Sequence, residues 1–303
     1  MPTMRAIQFT EFGGPEVLKV ADVPIPEPGP GQVRVAVRAA GLNPLDTKLR
    51  SGAMAAMMGV EPPHVPGFDV AGVVDAVGEG AAFSVGDEVF GWSDTGSYAE
   101  YALATRIARK PAEVSWEIAA GIPTVAETAV RGLRVIGAEA GDVVLIHGAS
   151  GGVGRIAVQL ALAAGATVVG TGGQAKLADI RSLGARAVTY GEGLVERVRE
   201  IAPEGIDAVF DTTGYGVLPD SITLRGGTER IVTIADAGAA DLGIPFTGSG
   251  DQTGELLDRL AAQLVDGSLV LATGTSYPLA DAAEAHRESE SGHPAGKLTI
   301  TVK

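Results

Sequence analysis

Two kinds of hydrophobic spacing divide this chain. From Met4 to about Ala108, apolar and polar residues alternate in short runs such as Gln32-Val33-Arg34-Val35-Ala36-Val37-Arg38, broken by Pro and Gly. That period predicts the strands of a compact, barrel-like β domain. The turn-rich stretch Pro24-Ile25-Pro26-Glu27-Pro28-Gly29-Pro30-Gly31 separates two such strands and is too short to link domains. After Trp116, strand-length apolar runs alternate with segments of helical period. The pattern predicts a helix near 126–136, strand 143–147, helix 153–164, strand 167–171, helix 175–183, strand 187–190 and helix 194–201. Strands 206–211 and 230–235 and a helix near 254–265 follow. Strands that alternate with helices pair in parallel, because a parallel return needs a crossover. Beyond Asp266, strand-like runs return and end in Lys297-Leu298-Thr299-Ile300-Thr301-Val302. The tail is expected to rejoin the first domain. The fold class is α/β, with one domain over 1–122 and 266–303 and a second, a doubly wound parallel sheet, over 123–265.

The strand Val143-Val144-Leu145-Ile146-His147 runs directly into Gly148-Ala149-Ser150-Gly151-Gly152-Val153-Gly154 and then into an Ala/Leu/Val-rich helical segment. Glycines at 148, 151 and 154 allow a tight turn, the approach of a diphosphate and close packing of helix on strand. The diphosphate would sit on the N–H groups that open the helix, around Ser150, Gly151, Gly152 and Val153. Glycine-rich turns also arise for structural reasons alone; the matching flanks on both sides favour a dinucleotide.

The next strand selects the cofactor. An acid at its end would bind the adenine ribose hydroxyls and repel a 2′-phosphate. Here Val168-Val169-Gly170-Thr171 is followed by Gly172-Gly173-Gln174-Ala175-Lys176, with no acid. Thr171 offers a hydroxyl, Gly172 and Gly173 open amides, and Lys176 a cation for a charge-assisted phosphate contact. NADPH is therefore the expected cofactor. The competing reading puts Lys176 on a solvated helix face.

Composition narrows the classes. A chain of 303 residues exceeds one comfortable core, so two domains are expected. The net charge of -14 repels nucleic acid and anionic membranes. The amino-terminal segment carries no apolar signal and no uncharged run reaches spanning length, which leads to the expectation of a cytoplasmic protein. With no cysteine, thiolate metal sites and thiol nucleophiles are excluded. His64, His147, His286 and His293 lack metal-ligand spacing, so no catalytic zinc is expected.

Several segments together resemble the zinc-independent quinone oxidoreductases of the medium-chain dehydrogenase/reductase superfamily. They are Phe9 to Leu18, Ala39-Ala40-Gly41-Leu42-Asn43-Pro44-Leu45-Asp46, Pro66-Gly67-Phe68-Asp69-Val70-Ala71-Gly72, the glycine turn, and the closing run from His286-Arg287 through Ser291-Gly292-His293 to Gly296-Lys297. The resemblance spans the whole chain. It implies a GroES-like catalytic domain, a Rossmann domain, NADPH, and an active site in the cleft between the domains. Zinc-dependent relatives carry a cysteine where this chain has Asn43, and a His-Glu pair where it has Phe68-Asp69. The resemblance also puts Asn43, Asp46, Lys48 and Arg50 on the loop that faces the acceptor, with Lys48 where relatives commonly carry tyrosine. Asn43 to Asp46 reads equally as a capped turn. Thr128 matches a threonine near the nicotinamide, and Tyr190 a tyrosine beside the 2′-phosphate. Met54, Met57 and Met58 offer an apolar wall.

The expected reaction is zinc-free hydride transfer from NADPH to a quinone or another α,β-unsaturated carbonyl compound. Reduction of a polyketide enoyl or alkenal double bond is an alternative within the same class, and a non-catalytic NADPH-binding sensor or structural protein is one outside it. A homodimer is expected through the edge segment Gly243-Ile244-Pro245-Phe246-Thr247.

Overall fold

A computed structural model describes residues 2–248, 250–292 and 295–302; His293 of the closing run lies outside the described residues. The chain forms two units. Met1–Thr124, Gln252–Gly267 and Leu271–Lys303 make the first, and Val125–Asp251 with Ser268–Val270 the second.

The amino-terminal part contains β1 (Thr3–Gln8), β2 (Lys19–Pro24), β3 (Val33–Gly41), α1 (Pro44–Arg50), α2 (Ala55–Met58), β4 (Asp69–Val77), β5 (Glu88–Trp92), β6 (Tyr101–Ala104), β7 (Arg106–Arg109) and α3 (Trp116–Gly121). Then come α4 (Pro123–Val135), β8 (Val143–His147), α5 (Gly152–Ala163), β9 (Thr167–Gly172), α6 (Leu177–Ser182), β10 (Arg186–Thr189), α7 (Leu194–Ile201), β11 (Ala208–Asp211), α8 (Leu218–Arg225) and β12 (Ile231–Thr233). The tail adds α9 (Gly254–Asp266), β13 (Thr273–Pro278), α10 (Ala282–Glu290) and β14 (Lys297–Thr301).

In the first unit, β13-β14-β3-β4-β5-β7 form one sheet, β6 pairs with the far end of β3, and β1 pairs with β2. Along β3, Val33, Val35 and Val37 alternate inward and join Val70, Val74, Val89, Leu298 and Ile300 in the core. The tail rejoins this unit as expected: β14 pairs antiparallel with β3, Thr299 opposite Gly41. The helix α10 stands where strand-like runs were expected. Its Ala- and Glu-rich sequence favours a helix, and its buried face is Ala282, Ala285 and His286.

The second unit is a five-stranded sheet in the order β10-β9-β8-β11-β12, every pair parallel. All five residues of β8 are buried, as in a sheet covered on both faces. The order runs outward in both directions from β8, so the turn after β8 lies where a doubly wound sheet binds a nucleotide. Beyond β12, Phe246 bridges Thr233 in parallel and extends the order by one element. The sequence pattern missed α8, which begins Leu218-Pro219 and carries Ser221 and Thr223.

The boundaries differ from the sequence reading, which assigned 254–265 to the nucleotide-binding domain and all of 266–303, Ser268–Val270 included, to the first. By contacts α9 belongs to the first unit. Its amphipathic face, with Leu256, Leu257 and Leu260 buried, packs on β7, and Gln252 just before it bonds Arg106. Helical period records that a face is buried, not which partner buries it.

Candidate functional site

Functional side chains gather in two places, one in each unit. In the second unit, Gly148 takes φ +72, a left-handed turn that ends β8. A Cβ on Gly154 would lie 2.1 Å from the Gly148 carbonyl oxygen, so helix and turn touch backbone to backbone. The N-cap of α5 is Gly151, and no side chain caps the helix. Gly151 and Gly152 are exposed, Ser150 and Val153 partly so. The N–H of Gly151 donates to the Gly148 carbonyl at 2.9 Å, and the start of the 12-residue helix beyond it has no side-chain cap, which suits a diphosphate.

The rest of the predicted set converges beside it. A Cβ on Gly172 would lie 3.6 Å from Ser150 Oγ and 3.7 Å from Lys176 Cβ; one on Gly173 would lie 3.6 Å from the Tyr190 hydroxyl. The Tyr190 N–H donates to the Gly172 carbonyl at 3.4 Å, while its ring is 56% exposed. Lys176 ends a single 3-10 turn, Gln174–Lys176, and its ammonium has no partner among the described residues. A half-exposed cation, an exposed phenol and two glycines around a strand end fit a 2′-phosphate, and no described carboxylate pairs with Lys176 there. Thr171 differs: it is buried and its hydroxyl faces His147. Thr128, on α4, is also buried and accepts from Arg131 Nη2 at 3.3 Å; Arg131 holds Glu127 at 2.9 Å and the Thr247 carbonyl at 2.7 Å.

In the first unit the segment after β3 forms a buried polar cluster. Asn43 is the N-cap of α1, with Pro44 behind it. The Asn43 N–H donates to Asp46 Oδ2 at 2.7 Å, and Asn43 Nδ2 donates to Asp69 Oδ2 at 2.9 Å. Lys297, on β14, donates to Asn43 Oδ1 and lies 3.6 Å from Asp69 Oδ2. Asp69 Oδ1 accepts both the N–H of Thr124, at 3.1 Å, and its hydroxyl, at 2.5 Å. All four chemistry-bearing residues, Asn43, Asp46, Asp69 and Lys297, are buried.

Burial pushes the carboxyls up and the Lys297 ammonium down. Asp69 gains Lys297, Thr124 and Asn43 in compensation, whereas Asp46 Oδ1 has no partner among the described residues and its pKa rises to about 7. Both carboxyls are thus pushed up by burial; Asp69 has donors on both of its oxygens, and Asp46 is the carboxyl that holds a proton near neutrality. Nearby, burial pushes the Tyr98 hydroxyl well above its usual range and brings His286 down to about 3. Their rings meet edge-on, centroids 5.8 Å apart.

The four residues expected to face an acceptor thus part company. Asn43 and Asp46 come together as the cap of α1, the capped-turn alternative. Lys48, half-buried, keeps an ammonium with no partner among the described residues. Arg50 is buried and donates to the Gly13 carbonyl at 3.1 Å and to Glu290. Met57 and Met58, on α2, are exposed. Lys297 and Thr124, which complete the cluster, were not singled out as site residues. Lys297 stands 254 positions from Asn43 and only the sheet brings them together.

A β-rich unit closed by the chain's own carboxyl-terminal strand, in one chain with a 3-2-1-4-5 parallel sheet that has a glycine turn after its first strand, makes a GroES-like domain and a Rossmann domain. This is the architecture of the medium-chain dehydrogenases/reductases. Residues 29–112 match the alcohol dehydrogenase GroES-like domain family, and 152–248 the zinc-binding dehydrogenase family. A quinone oxidoreductase of Lama guanicoe is 34% identical over 99% of this chain and 98% of its own. The chloroplastic NADPH-dependent alkenal/one oxidoreductase of Arabidopsis thaliana is 32% identical over 98% of this chain and 79% of its own. Among solved structures, the quinone oxidoreductase from Coxiella burnetii superposes with a TM-score of 0.89, at 32% identity and full coverage of both chains. A mycobacterial protein solved with NADPH gives 0.86 at 33% identity, over 99% of this chain and all of that one. The chain belongs to the quinone oxidoreductase family of the medium-chain dehydrogenase/reductase superfamily and is an oxidoreductase.

Proposed function

We propose that the protein reduces quinones or other α,β-unsaturated carbonyl compounds with NADPH and without zinc. The observation that carries this reading is the cradle of the second unit, where the start of α5, with no side-chain cap, and Lys176, without a partner among the described residues, stand beside Gly172. When bound, NADPH supplies the hydride, and the protein supplies orientation and electrostatics. The backbone N–H groups of Gly152 and Val153, beside Gly151 and Ser150, would hold the diphosphate, and Lys176 with Tyr190 the 2′-phosphate. The NADPH in the mycobacterial relative's structure supports the choice of nucleotide.

Hydride delivered to a carbon conjugated with C=O leaves negative charge on oxygen, which needs a donor. Lys48 is the cation of the α1 segment free to give one. Asn43 and Asp46 act behind it as the cap that sets the start of α1. The positions where zinc-dependent relatives carry cysteine and glutamate hold Asn43 and Asp69, and the Lys297 ammonium bridges them. An amide, one carboxylate and a resident cation do not make the thiolate and imidazole set that zinc prefers. The Arabidopsis relative's name supports alkenal or enone double bonds as the second acceptor class. The assembly proposed is a homodimer through the segment that follows β12.

Calorimetry of NADPH and NADH binding to the wild type and to Lys176→Ala tests the cofactor site. The expected outcome is a preference for NADPH of about tenfold or more that disappears in the variant. Equal, weak binding of both nucleotides to the wild type would overturn it.

A further inference from the structure

His147 ends β8 and is fully buried in the second unit. Its Nδ1 lies 3.3 Å from Thr171 Oγ1 and its Nε2 3.0 Å from Ser221 Oγ. The directions of these bonds follow from what the hydroxyls already do. Ser221 gives its one proton to the Val217 carbonyl at 2.7 Å, so it meets His147 as an acceptor and Nε2 carries the ring proton. Nδ1 is then bare and accepts the proton of Thr171. Thr171 Oγ1 in turn accepts the N–H of Gly148 at 3.3 Å. A directed chain runs from Gly148 through Thr171, His147 and Ser221 to Val217.

The ring is neutral in this arrangement. Burial brings its pKa down to about 4, although the Asp211 carboxylate favours the charged form. Asp211 is otherwise engaged: Oδ1 accepts from the N–H and hydroxyl of Thr213 at 2.9 and 2.8 Å, and Oδ2 from the Thr233 hydroxyl at 2.7 Å. The chain ties three elements together. Gly148 is the first residue of the glycine turn, Thr171 stands near the end of β9 just before Gly172, and Ser221 lies on α8. A backbone bond from Ala149 N–H to the Thr171 carbonyl, 3.0 Å, already joins turn and strand. The imidazole adds the second bond that fixes the Thr171 side chain and the link to α8.

We infer that His147 is a positioning residue of the nucleotide site, turning the Thr171 hydroxyl inward and fixing the glycine turn against the Gly172–Lys176 turn. Thr171 then has no proton left for a phosphate, and reading of the 2′-phosphate falls to Lys176 and the backbone. This rests on the NADPH reading of the second unit.

His147→Phe keeps the ring's bulk and removes both nitrogens. It should weaken NADPH and NADH alike by about tenfold in calorimetry, whereas Lys176→Ala weakens NADPH alone. Thr171→Val should reproduce the loss without adding to it in the double variant, and Thr171→Ser should restore binding. Thr171→Val also carries the binding test if His147→Phe does not fold. In the wild type, nitrogen-15 NMR of the imidazole should show the neutral Nε2–H tautomer from neutral pH down to about pH 5. A lowered melting temperature with unchanged affinity in the folded variants would make His147 purely structural and overturn the inference. So would a Thr171→Val loss confined to NADPH and additive with His147→Phe, which would mean direct phosphate contact, or an Nδ1–H tautomer. Failure of the wild type to bind either nucleotide would sink the NADPH reading itself, and this inference with it.

Discussion

Asp46 and Asp69 are buried carboxyls in one cluster, both pushed up by burial, and they differ in their partners. Asp69 accepts from Thr124 and Asn43 and faces Lys297, while Asp46 keeps one oxygen without a partner among the described residues. The Asp46 pKa of about 7 in the folded protein lies above its value near 4 in an unfolded chain, so folding tightens its hold on the proton. The stabilising contribution is complete below about pH 4 and is lost as pH rises through about 7. Asp46→Asn should therefore gain on the wild type in melting temperature, by several degrees, between pH 5 and pH 8. A difference that does not change with pH would show that Asp46 is ionised in the fold. Lys297→Met strips the cation from Asp69 and should cost about 3–5 kcal/mol in denaturant unfolding, a loss that adding Asp69→Asn largely restores. The residues of this cluster were legible in sequence only in part. Asn43, Asp46 and Asp69 sit in recognisable segments, but their burial depends on β14 and on Thr124, which sequence distance conceals.

At the scale of elements, the glycine turn is the most legible feature because its residues are constrained locally. A glycine in a helix interior ordinarily yields about 1 kcal/mol on replacement by alanine. Gly154→Ala should instead destabilise the protein by more than about 2 kcal/mol and abolish nucleotide binding, since its Cβ would press on the Gly148 carbonyl at 2.1 Å. Chemical denaturation and calorimetry on the one variant check both. The Rossmann strands were foreseen to within a few residues because parallel strands buried on both faces read as continuous apolar runs. The helix α8 was not, for Pro219, Ser221 and Thr223 dilute its apolar stripe. Its Ser221 nevertheless sets the tautomer of His147, so the missed helix bears on the site that the turn announced.

For the whole molecule, the charge of -14 opposes association, and a dimer would double it. Among the described residues no helix is long and apolar enough to cross a membrane. The segment after β12 offers the apolar counterweight: Ile244 is buried, Phe246 is 41% exposed, and the Phe246 bridge to Thr233 brings the strand to the sheet edge. Sedimentation equilibrium should find a dimer at micromolar concentration that tightens with added salt as like charges are screened. Phe246→Asp should shift it toward monomer. A wild-type monomer would remove the edge from the account.

The reaction proposed for the protein is zinc-free, NADPH-dependent reduction of conjugated carbonyl compounds. Its most direct test is NADPH oxidation, followed by cofactor absorbance, with a panel of quinones and enones before and after exhaustive treatment with a zinc chelator. Acceptor-dependent oxidation is expected, at a rate unchanged by the chelator and strongly reduced when NADH replaces NADPH. Oxidation that the chelator abolishes, or none with any acceptor despite tight NADPH binding, would contradict it.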